Sequence, residues 1–132
     1  METLVPISVV AFGSALGGLA RWGLSSILSK WFGNSFPYAT LIVNLTGCLF
    51  LGWFMTVYSD RLRALEPRWI KPENLRLMIA VGFTGAYTTF STFEFETNNL
   101  MKEGSLASII YVSTSVFLGL LAVRLGIQLA NT

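Results

Sequence analysis

A chain built almost entirely of long apolar runs has few ways to fold, and this one carries four. They cover about residues 5–28, 39–58, 75–100 and 106–127. Each is close to the ~20 residues a helix needs to cross a hydrocarbon core ~30 Å thick. Charged residues are 12% of the 132-residue chain and hydrophobic ones 53%, whereas a soluble domain is about one quarter charged. Lipid must therefore cover most of the exterior. The expected fold is one all-α membrane domain, residues 1–132, of four transmembrane helices. A chain this short encloses little by itself, so a homo-oligomer with a site between subunits is expected.

The formal net charge of +2 is too small to argue for nucleic acid. The absence of histidine excludes imidazole chemistry and the commonest metal ligand. The one cysteine, Cys48, sits in an apolar run and reads as a small buried hydrophobe. No nucleophile and base fall together in the pattern, so no enzyme is expected. Glu2 stands where a signal peptide would carry basic residues, and the first run reads as a retained span. The stretch 60–76 holds Arg61, Arg63, Arg68, Lys71 and Arg76 against Asp60, Glu66 and Glu73, with Pro67 and Pro72 making turns. The loops on the other side hold only Lys30 and Lys102. By the positive-inside rule the charge leans the central loop toward the cytoplasm, a bias that sits less easily with insertion in both orientations; a multi-pass protein of the inner or plasma membrane is expected.

Within the spans, Gly13 and Gly17 form a small-xxx-small face for close helix packing. Arg21 follows one turn later, and Trp31 and Tyr38 are placed as interface aromatics. Asn44 lies at membrane depth in the second run, with Thr40 and Thr46 near it, and its amide there needs a partner. Arg124 lies near the end of the fourth run, where it can snorkel to the interface. The third run changes character at Gly82 and reads GFTGAYTTFSTFEFE to Glu96. Its glycines loosen a helix, and Thr88, Thr89, Ser91 and Thr92 offer hydroxyls that compete for main-chain carbonyls. Non-helical backbone at this depth is tolerated only inside protein or along a water-filled cavity. Phe90 and Phe93, one turn apart, add rings whose positive edges suit a small anion.

The segment Gly82–Phe93 resembles the signature of the fluoride channel family called Fluc or CrcB. Gly13–Trp22 (GSALGGLARW) and Ala39–Gly52 (ATLIVNLTGCLFLG) are similar as well. The resemblance implies an antiparallel, dual-topology homodimer of four-helix subunits with a broken third helix. It also implies two pores per dimer, passive export of fluoride, and a structural sodium ion at the subunit interface. Carried over, the sodium ligands are the backbone carbonyls of Gly85 and Thr88, two from each subunit. The fluoride path is lined by Phe90, Phe93, Asn44, Ser91 and Thr92. Arg21 matches a vestibule arginine and Glu96 an acid after the motif, while Thr40, Tyr111 and Ser115 are further polar candidates. Tyr87 and Glu94 depart from the family pattern, which favours an apolar and a small residue there. A small four-helix drug exporter is the rival within transport, but it needs a carboxylate in the first span, where this chain has only Arg21. A structural subunit glued by its Thr/Ser run is the rival from another class.

Overall fold

The computed structural model describes residues 4–62 and 70–132. Among them every regular element is helical. Helix α1 spans Leu4–Phe32 and α2 spans Tyr38–Val57, continued by a π-helical turn over Tyr58–Leu62. Then come α3 (Pro72–Arg76), a π-helical stretch (Leu77–Thr84), α4 (Gly85–Tyr87), α5 (Phe90–Glu103) and α6 (Ser105–Ala130). The continuous helices Leu4–Phe32, Tyr38–Leu62 and Leu106–Ala130 are each long and apolar enough to cross a membrane. The expected run 75–100 is no single helix: it is split at Thr88 and Thr89. Of the central loop, Arg63, Glu66, Pro67 and Arg68 lie outside the described residues, as does Glu2.

Local signals explain the ends. Gly33 closes α1 with φ 72°, its N–H on the Ser29 carbonyl at 3.0 Å, a left-handed cap that favours glycine. Lys30 in the last turn of α1 meets the negative end of the helix dipole. Pro72 does more than turn the chain. It begins α3, where its missing N–H costs nothing.

Packing falls into two pairs joined at the break. Helix α1 lies along the π-helical stretch and α4, while α2 lies along α6, which also receives α5. Gly13 and Gly17 bring α1 onto the backbone of Met78 and Phe83, so close that a Cβ at either would collide with a main-chain carbonyl. The small-xxx-small face thus meets its partner. Gly126 does the same for α6 against the backbone of Leu49 and Trp53. Outward, Ile7, Leu19, Trp22, Trp31, Phe117 and Leu120 are exposed, an apolar surface suited to lipid. The buried core gathers Leu41, Phe93, Leu100 and Tyr111, just beyond the break.

Candidate ion site at the helix break

Thr88 and Thr89 are extended, at φ −81°, ψ 160° and φ −149°, ψ 118°. The sequence TTFST makes this stable because it writes both the end of one helix and the start of the next. On the leading side, the Thr88 N–H and hydroxyl both donate to the Thr84 carbonyl, at 3.0 and 2.9 Å. On the trailing side, Thr89 is the N-cap of α5: its Oγ1 accepts the Thr92 N–H at 3.3 Å and donates to Thr92 Oγ1 at 2.9 Å.

Asn44 closes the gap from α2. Its Oδ1 accepts the Thr89 N–H at 2.8 Å, and its Nδ2 donates to the Thr89 carbonyl at 3.1 Å. One asparagine side chain thus replaces the helical bond that the Thr89 N–H loses at the break, and it also donates to the Thr89 carbonyl at the head of the α5 ladder. In an unbroken helix the Thr89 N–H would bond the Gly85 carbonyl. Its diversion to Asn44 releases that carbonyl from the ladder, and Thr88 lies before the cap of α5, outside its ladder. Gly47 lets the break approach: a Cβ there would strike the Thr88 methyl group. Among the described residues no three acidic, cysteine or histidine side chains gather at a metal-sized site. The oxygens on offer at the break belong to the main chain and to hydroxyls.

Beside the break lies an open cavity of about 330 Å³, lined by Asn44, Gly47, Cys48, Thr84, Thr88, Thr89, Phe90, Phe93 and Ser115, among others. Phe90 is 73% exposed and Phe93 only 8%. Their rings are 5.9 Å apart and tilted by 40°. Phe93 continues onto Tyr111 at 5.1 Å, and Tyr111 meets Phe36 edge-on at 5.5 Å. Past these rings is a second cavity of about 360 Å³, lined by Ser29, Asn34, Ser35, Phe36, Glu96 and Asn99, among others.

Between the cavities stands a polar cluster. The Thr40 hydroxyl donates to Glu96 Oε1 and the Tyr111 hydroxyl to Glu96 Oε2, both at 2.8 Å. Tyr111 is fully buried and Thr40 nearly so. Glu96 is an acid that follows the motif in the sequence. Its spacing one turn after Phe93 is the signal that places it under the rings. Asn44, Phe90, Phe93 and Ser115 thus line the first cavity and Glu96 the second, while Thr40 and Tyr111 line neither and join the site through their bonds to Glu96. Ser91 and Thr92 are exposed at the start of α5 and line neither cavity, Thr92 serving the cap. Arg21 is half-buried in α1 and Glu94 is exposed on α5, both also outside the two linings. Phe36, Gly47 and Thr84 belong to the site without having been singled out for it, because only the tertiary fold brings them there.

Membrane-length helices around a broken helix, with hydroxyls, amides and rings converging on the break, define a polytopic membrane transport protein. Residues 8–127 match the family model described as CrcB-like protein, Camphor Resistance (CrcB). The chain belongs to this CrcB family. It is 47% identical to a protein of Synechococcus sp. (strain JA-2-3B'a(2-13)) named fluoride-specific ion channel FluC, over 96% of this chain and 92% of that one. A protein of the same name from Acidobacterium capsulatum is 43% identical, over 92% of this chain and 93% of that one. One from Chloroflexus aurantiacus is 40% identical, over 95% and 94%. These relatives are named as channels, not as enzymes.

Proposed function

We propose that this protein is a fluoride channel of the cell membrane, letting cytoplasmic fluoride leave passively. The observation that carries the reading is the run of rings and polar groups that links the two cavities. It runs through Phe90, Phe93, Ser115, Tyr111 and Thr40, with Asn44 at its side. Fluoride is small and strongly hydrated, so a pore must give back donors at short range where it takes water away. Hydroxyls and aromatic edges do so without the deep well that a fixed Lys or Arg would create, and an ion held this way still leaves. The remaining Asn44 amide hydrogen, not used on Thr89, is available as a further donor. A negative-inside potential supplies ~2.3 kcal/mol per 100 mV for each anion leaving.

In this reading the split segment makes the fourth membrane crossing, and the working unit is an antiparallel homodimer with two pores. What supports the dimer is the exposed side of the break. Phe90, Ser91 and Thr92 are exposed next to an open cavity at membrane depth. Hydroxyls and loosened backbone are not left facing lipid, and a second copy would cover them. The carbonyls of Gly85 and Thr88 would hold the structural sodium ion: released from the helix ladder and uncharged, they fit a hard monovalent cation. Bound there, such an ion supplies positive potential and joins the subunits.

Purified protein in liposomes, with a potassium gradient and valinomycin, is expected to release fluoride and to retain chloride. Equal passage of both ions would end the claim of selectivity. Phe90→Ile keeps an apolar side chain but removes the ring. With the dimer intact on size exclusion, fluoride efflux is expected to fall by at least ~10-fold, the weight of ~1.4 kcal/mol on a barrier. Unchanged efflux removes that ring from the path.

A further inference from the structure

Asn44 holds only one side of the break. On the other side Tyr87 makes a contact that the proposed transport path does not use. Its hydroxyl lies 2.8 Å from Thr46 Oγ1. Thr46 has a single hydroxyl proton, and that proton faces the Ile42 and Val43 carbonyls of its own helix, at 2.8 and 3.0 Å. Tyr87 is therefore the donor, and Thr46 Oγ1 is an acceptor fixed by its own backbone bonds. The Tyr87 ring is held as well. It stacks on Phe83 at 5.8 Å with planes 7° apart, and it lies over Gly47. Asn44 and Thr46 are two residues apart on α2; Thr89 and Tyr87 are two apart on the broken segment, on either side of Thr88.

We infer that Tyr87 is a positioning residue: with Thr46 it forms a second clamp that fixes the leading side of the break as Asn44 fixes the trailing side. The two clamps together determine where the Gly85 to Thr89 backbone stands relative to α2. With only one of them, the segment can pivot about Thr89, and Phe90 and the released carbonyls move with it. Tyrosine at this position is then the partner of a threonine at 46, not a misfit among apolar residues. The hydroxyl carries the clamp and the ring serves the packing.

The test is a double-mutant cycle, and its transport arm rests on the channel reading above. Tyr87→Phe and Thr46→Val each remove the bond while keeping the shape. Each is expected to slow fluoride efflux about ten-fold, within the weight of one hydrogen bond. The double variant is expected to be no slower than either single one. Thr46→Ser, which keeps the hydroxyl, is expected to restore the wild-type rate. Amide hydrogen exchange over residues 84–92 in detergent is expected to quicken in Tyr87→Phe and Thr46→Val. Multiplying losses in the double variant, or wild-type efflux and exchange in Tyr87→Phe, would overturn the clamp. Wild-type vesicles that hold their fluoride would instead defeat the channel reading, and the exchange comparison would still decide the clamp.

Discussion

Asn44→Ala is expected to cut fluoride efflux by about 100-fold or more. The side chain accepts from the Thr89 N–H and donates to the Thr89 carbonyl. Removing them forfeits about 1 kcal/mol each and leaves the Thr89 N–H to find a partner, at about 1–3 kcal/mol if it fails, while the carbonyl keeps its place at the head of the α5 ladder. A total near 3 kcal/mol corresponds to roughly 100-fold. The chain has one obvious escape. The Thr89 N–H can return to the Gly85 carbonyl, closing the helix and consuming an oxygen that the break had released. Asn44→Leu, which keeps the size of the side chain, should behave like the alanine variant. Asn44→Asp keeps the acceptor for the Thr89 N–H but loses the donor and places a charge at membrane depth, so a loss of at least ~10-fold is expected. A fluoride electrode on vesicles of known protein content measures all three. Efflux near the wild-type rate in Asn44→Leu would show that the amide neither holds the break nor serves the ion.

Hydropathy alone marks the apolar runs, and the continuous helices start and stop within a few residues of where the runs do. Composition also marks the polar interruption of the third run, which falls at Thr88 and Thr89. What the pattern does not mark is the division of labour among the hydroxyls. Thr92 reads as a lining group, yet its hydroxyl and that of Thr89 close an N-cap, a role written in the local string before the apolar turn of α5. Tyr87 reads as a misfit because its partner Thr46 is 41 residues away, on another helix. Glu96 reads as out of place for the same kind of reason: Thr40 and Tyr111 come from two other helices. Periodicity reports which face of a helix a residue occupies and is silent on which helix that face meets. The π-helical register of Leu77–Thr84 was equally hidden. It coincides with the stretch where α1 presses its glycines against Met78 and Phe83, so it follows from tertiary packing and not from propensity.

Glu96→Ala is expected to slow efflux by about 100-fold, and Glu96→Gln by about ten-fold. A negative charge between two cavities of an anion path repels the ion, and by that effect alone both variants would speed efflux. At an effective dielectric of about 20, unit charges ~4 Å apart interact by roughly 4 kcal/mol, so the repulsion is not small. The hydroxyls decide the sign. Tyr111 and Thr40 both donate to this carboxylate, and both are buried. Both hydroxyl protons point at the carboxylate, so its two oxygens fix how the Thr40 hydroxyl and the Tyr111 ring stand between the cavities. Alanine leaves both hydroxyls without that acceptor, at about 1–3 kcal/mol each, and they are free to turn away. Glutamine keeps one acceptor oxygen, but its amide nitrogen only donates, so one hydroxyl must reverse and accept. The predicted order is therefore wild type, then glutamine, then alanine, read as initial fluoride efflux with protein content matched. Efflux faster than wild type in either variant would show that the ion senses the charge of Glu96, and not the two hydroxyls it aligns.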